Sequence, residues 1–453
     1  MQTSVIQFIH ETNWKDLPED VRHQARRCLL DTLGAGISGR ATDLSRIVYE
    51  FAAAAFGGQG ARLWLDGREI SPPGAALATG MTIDALDIHD GHPLTKGHAG
   101  AAVVPGLFAT LSAPEAARLS GKEFLTALVI GYEIALRAGL ALHDTASDYH
   151  TSGAWNALGV AALAARRTGL TQGQTRHALG IAEYHGPRSQ MMRCIDHPTM
   201  LKDGSGWGAM TGISAALLAQ ADFTGAPALT VESDEVMKFW QDLGSCWHIT
   251  NQYFKPHAVC RWAQPAIEAA LQLQHDYEIT PVLVKRVRVT TFHQAVRLSC
   301  RFPESTEQAQ YSLPFPLAAA LVHGRLGVAE LTGAALTDPS VLQLAERVEM
   351  NEDGEFNQRF PAKRLARVEI ETADGGTFHS GDFEADWEAD RPPSDAELRE
   401  KFRRLAGEQL PGDRAERLEK AVWHCEQLNE LNNLLSLLTL PITPFISHPE
   451  PSG

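Results

Sequence analysis

The 453 residues carry 44% hydrophobic and 21% charged side chains and a formal net charge of −15, the make-up of an ordinary globular chain long enough for two or three domains. So acidic a chain argues against nucleic acid as a partner, since phosphates require a basic surface, and an anionic small molecule would need a locally positive cleft. Six scattered cysteines without a Cys-x-x-Cys pair argue against a zinc site or a disulfide framework. With no basic-then-apolar leader and no apolar run approaching a span of about 20 residues, the expected setting is cytoplasmic, with no membrane contact.

In chain order, Pro18-Glu-Asp opens a helix with Val21, Ala25, Cys28, Leu29, Leu33 and Ile37 on one face. Ser120-Gly-Lys-Glu123 reads as a capping box for the apolar helix that follows. The Ala- and Gly-rich runs from Ala154 to Ala165 and from Gly206 to Ala221 read as central, closely packed helices. The pattern changes after Ala258. A helix from Ala263 to Leu273 precedes a Val/Thr-alternating strand from Val282 to Phe292, and Tyr311-Ser-Leu-Pro opens another helix. Arg364 to Thr372, Ala373-Asp-Gly-Gly and Thr377 to Ser380 form a hairpin. Ser394-Asp-Ala-Glu397 caps a helix to about Leu405, and Leu418 to Leu438 reads as one long terminal helix. The expected organisation is a helical domain over 1–258, an α+β domain over 259–400, and a helical segment over 401–453 that returns to the first domain.

The densest chemistry lies in Asp84-Ala-Leu-Asp87-Ile-His89-Asp90-Gly-His92-Pro-Leu-Thr-Lys96-Gly-His98. Imidazole and carboxylate at this density suit a divalent metal. Against that reading, there is no His-Glu-x-x-His pair and Lys96 sets a cation beside the proposed cation. The alternatives are a metal-free acid/base site using Asp87, Lys96 and His98, and a structural loop in which His89 and His92 are polar linkers. Three further constellations put His, Lys and Arg at loop-to-helix junctions: Tyr149-His150-Thr-Ser-Gly153, Arg188 and Arg193 leading to Lys202, and Lys255-Pro-His257-Ala-Val-Cys260-Arg261. Cys260 is a further nucleophile candidate, its thiol flanked by His257 and two cations, although a buried Cys is more often a small hydrophobe. Phosphate-loop, dinucleotide-binding and serine-elbow motifs are absent.

In their order, Ala85-Leu-Asp87, His98-Ala-Gly, Val-Val-Pro105, Tyr149-His150-Thr-Ser-Gly153, Leu201-Lys202, Lys255-Pro-His257-Ala-Val-Cys-Arg261 and Tyr311-Ser-Leu-Pro resemble the MmgE/PrpD family over nearly the whole chain. The resemblance implies a mainly α fold, with a large all-helical domain and a smaller α+β lid domain. It also implies a homodimer and chemistry on small polycarboxylates with neither metal nor cofactor. Carried over position by position, Asp87, His98, Tyr149, His150 and Lys202 become catalytic candidates, joined by Lys96. His89, Arg188, Arg193, Lys255, His257 and Arg261 become substrate-binding candidates.

Two departures from the family pattern bear on substrate. Asp87-Ile-His89-Asp90-Gly91 stands where lyase members often carry Asp-x-Asp-Asp-Thr, and Gln264 stands where many carry His. Within the family the likeness is closest to iminodisuccinate epimerase. That implies a two-base proton abstraction and return at a carbon flanked by carboxylate and nitrogen, with cations stabilising the charge that develops. The alternative is a family lyase of a tricarboxylate, of the 2-methylcitrate dehydratase or cis-aconitate decarboxylase type. A metal-dependent hydrolase using the Asp/His cluster, or a non-catalytic polycarboxylate binder, is more distant.

Overall fold

The computed structural model describes residues 4–442. The principal helices of the first part are α1 (Glu19–Gly39), α2 (Pro72–Asp84), α3 (Gly100–Ala109), α4 (Gly121–Thr145), α5 (Gly153–Arg167) and α6 (Ser205–Gln220). The small-residue runs are central, as their composition predicts. At the crossing of α2 and α6, a Cβ on Gly80 would lie 2.7 Å from the Cα of Gly206, so the two backbones touch and neither position has room for a side chain. By length and composition α4 is apolar enough to cross a membrane, although Glu133 and Arg137 interrupt its apolar run. Its apolar window is 94% buried in the protein, as befits a core helix.

The second part holds one five-stranded sheet made of β1 (Val284–Thr291), β2 (Val348–Glu352), β3 (Leu365–Thr372), β4 (Thr377–His379) and β5 (Phe383–Glu384). The order is β2-β1-β3-β4, with β5 pairing β3; β1 and β2 run parallel and the other pairs antiparallel. Val287, Val289, Val368 and Ile370 are buried on one face, where α7 (Gln264–Asp276) and α8 (Pro314–His323) lie nearby. A mainly helical chain with a smaller sheet-bearing part is thus what folds.

The chain returns to the helical part earlier than the expected 400/401 boundary, because α9 (Asp395–Gly407) spans that point and packs on α1. Its Ser394/Glu397 capping box is complete. The box expected at Ser120 is half formed: Ser120 accepts from the Glu123 N–H, while the Glu123 carboxylate is drawn to Arg166. The long terminal helix is also broken. Helical turns at Arg414–Trp423 and Asn432–Thr439 flank a segment whose backbone is diverted. The Leu428 carbonyl accepts from Gly121 N–H and the Leu431 N–H donates to Ala116 carbonyl.

Candidate active site

The close α2–α6 crossing delivers the end of one helix to the start of another. Asp84, the last residue of α2, accepts the backbone N–H of Asp203 at 3.2 Å. Gly153, at the start of α5, in turn donates its N–H to the Asp203 carbonyl at 3.1 Å. The N-termini of α3, α5 and α6 therefore meet the C-terminal end of α2, and their exposed N–H groups and dipoles make the junction favourable to negative charge.

His98, two residues before α3, is fixed from several sides. Its N–H donates to Ser152 Oγ at 2.9 Å, Asn156 Nδ2 donates to its carbonyl at 2.9 Å, and Nδ1 lies 2.6 Å from the Asp90 carbonyl. A carbonyl only accepts, so Nδ1 carries the proton and Nε2 keeps its lone pair. That lone pair stands 3.8 Å from Asp87 Oδ1. Burial, then the neighbouring charges of Lys255 and His89, hold the imidazole well below its usual range, so it is a neutral base at physiological pH.

Asp87 and Lys255 form a buried pair, with Lys255 Nζ at 2.6 Å from Oδ1 and 2.9 Å from the Asp87 carbonyl. Lys202 is 2% exposed, donates to Gln310 Oε1, and its ammonium stands over the Tyr311 ring at 5.1 Å. Burial lowers its proton affinity against the opposing pull of Asp87, Glu307 and Asp84. Asp87, Lys96 and Lys202 all sit in the left-handed region, at φ of 47°, 53° and 50°. Each costs on the order of 1 kcal/mol or more, a strain that surrounding structure must hold and that clusters at functional sites.

Asp84, Asp87 and His89 bring ligand atoms within 4.8 Å of one another, so the metal reading can be tested on the donors themselves. The fit is poor. Asp87 already binds an ammonium, and both nitrogens of His89 face acceptors, Asp84 Oδ1 at 3.1 Å and the Asp90 carbonyl at 3.3 Å. Although burial opposes it, the Asp84 carboxylate raises the His89 proton affinity, and a doubly protonated ring has no lone pair for a metal.

Of the remaining sequence candidates, Lys96 reaches the same region. Its ammonium lies 4.2 Å from the centroid of the Tyr149 ring, and the Tyr149 hydroxyl donates to the Lys96 carbonyl. A cavity of about 350 Å³ opens against Lys202 and is lined also by Thr151, Gln190, Arg193 and Trp207. The backbone of His150 pairs with Gln190 at its rim, and its ring bonds the Asp148 carbonyl at 2.8 Å. Arg188 is exposed and is not among the cavity's lining residues.

Four substrate-binding expectations are corrected, the first being Lys255, whose fully buried ammonium is taken by Asp87. His89 is fully buried against Asp84. His257 bonds the Leu326 carbonyl at 2.9 Å and faces a separate open cleft of about 770 Å³. Arg261 spends its charge on Glu388 at 2.9 Å and its other donors on Phe254, Gln264 and Asp386. The Cys260 thiol is pushed up to about 12 by burial and then by Asp87, which removes it as a thiolate.

Sequence reasoning missed Asp84 as His89's partner, and also Ser152, Asn156, Asp203, Gln310, Tyr311 and Arg364. Arg364 comes from the edge of β3, is 1% exposed, donates to the Pro93 carbonyl at 2.9 Å and stacks 5.3 Å over the Tyr253 ring. Its signal in the sequence was an Arg opening a strand, which reads as surface. Only the Ser-Gly and Asp-Gly-Ser punctuation at the starts of α5 and α6 hinted at Ser152 and Asp203.

Residues 3–241 match the MmgE/PrpD N-terminal domain and residues 257–427 the MmgE/PrpD C-terminal domain. The chain belongs to the MmgE/PrpD family. Among MmgE/PrpD relatives, human cis-aconitate decarboxylase is 28% identical over 473 residues, covering 98% of this chain and 95% of the relative. Cis-aconitate decarboxylase of Aspergillus terreus is 25% identical, covering 94% and 93%. The mitochondrial 2-methylcitrate dehydratase of Yarrowia lipolytica is 25% identical over 396 residues, covering 78% and 73%. The two departures from the MmgE/PrpD pattern now have physical accounts. His89 is an internal partner of Asp84, and Gln264 is buried and ties the carbonyls of His257 and Val259 at 3.2 and 3.0 Å.

Proposed function

We propose that this MmgE/PrpD chain is a lyase that removes carbon dioxide from an unsaturated tricarboxylate of the cis-aconitate kind. The reading is supported by the family and by the names of its relatives, cis-aconitate decarboxylase and 2-methylcitrate dehydratase. The observation that carries it is the gathering about Asp87 of His98, 3.8 Å away and held below its usual range by burial, and of the buried Lys202, whose proton affinity burial lowers, with further cations nearby. Lys96 has no carboxylate partner among the described residues, and Arg364, whose Nη1 lies 3.9 Å from the Glu388 carboxylate, keeps a buried Nε without a hydrogen bond. These two, with Lys202 and the helix N-termini, are the anchors for a substrate with several carboxylates.

When a carboxylate one carbon removed from a double bond leaves as carbon dioxide, its electron pair shifts across the double bond. The far carbon then takes a proton, so one proton is consumed for each carbon dioxide released. Lys202 is the donor suited to that step, since burial weakens its hold on the proton. His98, held in one tautomer, keeps its Nε2 lone pair as a hydrogen-bond acceptor beside the reacting carbons, and the cations stabilise the charge while it is delocalised.

The test is to incubate the purified protein separately with cis-aconitate, 2-methylcitrate and iminodisuccinate and to follow each by proton NMR and carbon dioxide release. The expected result is carbon dioxide and a rearranged alkene diacid from cis-aconitate. Inversion of iminodisuccinate with cis-aconitate untouched would overturn the reading in favour of the epimerase.

A further inference from the structure

The segment between α2 and α3 that carries Asp87 has no regular backbone pairing where it matters. The carbonyls of Asp87, Ile88 and Asp90 accept no backbone N–H, yet all three residues are buried, so each carbonyl needs a partner. Side chains from elsewhere in the chain supply them. Lys255 Nζ takes the Asp87 carbonyl, His98 Nδ1 takes the Asp90 carbonyl, and Lys401 Nζ takes the Ile88 carbonyl at 2.6 Å.

Lys401 belongs to α9 and lies outside any motif read from the sequence. It is 3% exposed, and its second bond goes to Asp31 Oδ1 on α1 at 2.6 Å, a carboxylate that is itself buried. The ion pair neutralises the ammonium. A second of its three donors holds a carbonyl one residue from the Asp87 carboxylate, in a stretch where Asp87 is kept at a left-handed φ of 47°. One ammonium thus ties α1 and the Asp87 loop to α9.

We propose that Lys401 is a positioning residue for the active site: through the Ile88 carbonyl it holds the strained Asp87 backbone in register with His98, while Asp31 serves to neutralise it. The proposal rests on the reading of the Asp87 group as the catalytic site. It makes α9 part of the catalytic architecture, so that a helix following the sheet-bearing part sets the geometry of a loop in the helical part.

Stability and positioning are separable by mutation. K401M leaves Asp31 buried and unpaired, and is expected to lower Tm. The double variant K401M/D31L removes both charges at similar volume, so its Tm should recover while the Ile88 carbonyl stays ungripped. The expected result for the double variant on cis-aconitate is a kcat lower by about 10²-fold with KM changed by less than about threefold, the signature of misplaced reacting groups. Amide exchange should accelerate over residues 85–92 while α4 stays protected. K401R, which keeps donors for both partners, should recover most of kcat. Wild-type kcat in the double variant, or unchanged exchange over 85–92, would overturn the proposal. If the wild-type protein itself leaves cis-aconitate unchanged, the functional reading fails, and exchange over 85–92 together with binding of tricarballylate still judges Lys401.

Discussion

The sheet and the candidate active site both gather charge, and they use it in opposite ways. On the outer face of the sheet, Arg286 pairs with Glu371 and Arg288 with Glu369, while Glu349 lies 3.7 Å from each arginine. These side chains are about a fifth to a half exposed, and water screens them, so such pairs contribute little. At the helix junction, Asp87 and Lys255 are 3% and 0% exposed and cannot exchange their partner for water. Placement therefore decides what a charge does. In the sheet, cross-strand charges accompany a fold already specified by the buried Val and Ile positions. In the site, burial turns each charge into a setting of a neighbour's protonation.

The contrast can be pressed by mutation, beginning where the effect is largest. Lys255→Met strands the Asp87 carboxylate in a dry site. Stability should fall by about 3–5 kcal/mol in chemical denaturation, because breaking one partner of a buried pair leaves an uncompensated charge, and turnover should be lost with it. His98→Asn and Lys202→Met should each lower kcat by about 10²–10⁴-fold. Stopped assays alongside thermal melts would check that Tm moves far less than in the Lys255 variant; near-normal turnover in either would remove that residue from the mechanism.

pH dependence has two limbs with opposite signs. His98 and His92 are held neutral by burial, well below their usual range. Below about pH 6.5 the unfolded chain therefore takes up protons that the folded chain cannot, and stability falls as pH drops. Asp90 is pushed up to about 7 by burial and then by Asp31, so the stability it retains at low pH is lost as pH rises from about 4 through 7. Asp90→Asn keeps an acceptor for Tyr132 and removes only the second limb, so Tm at pH 8 minus Tm at pH 5.5, measured by calorimetry, should be more positive in the variant than in the wild type. An unchanged difference would show that Asp90 is ionised in the fold.

Two smaller effects complete the comparison. Lys96→Gly removes left-handed strain together with a substrate anchor, so Tm should hold or rise slightly while KM for the tricarboxylate rises about tenfold. Arg288→Ala on the sheet should change stability by no more than about 0.5 kcal/mol and leave turnover unaltered.

The elements that were legible share a simple cause: their signal is local. Val/Thr alternation in β1 encodes one more and one less buried side, the Asp-Gly-Gly turn before β4 encodes a reversal, and the apolar spacing in α1 gives its helical period, although from Arg27 to Gly39 that helix is buried all round. The terminal helix was misread because its interruption is set by partners some 300 residues away, at Gly121 and Ala116. The site divides along the same line. Asp87, His98 and Lys202 stand in dense polar clusters beside small residues and were visible. Arg364, Gln310 and Lys401 act in the site only because the sheet-bearing part and α9 fold back on the helix junction. His89, His257 and Arg261 looked like substrate contacts because sequence shows that a group is polar without showing that its partner is internal.

The central claim is that the anionic substrate is held at the junction of α2, α3, α5 and α6, between His98 and Lys202. A crystal structure with tricarballylate, a saturated tricarboxylate that cannot be turned over, tests this most directly. The account predicts carboxylates on Lys202, Lys96 and Arg364, with a ligand carbon facing His98 Nε2. Density for the ligand in the cleft beside His257, with the Asp87 group untouched, would contradict it.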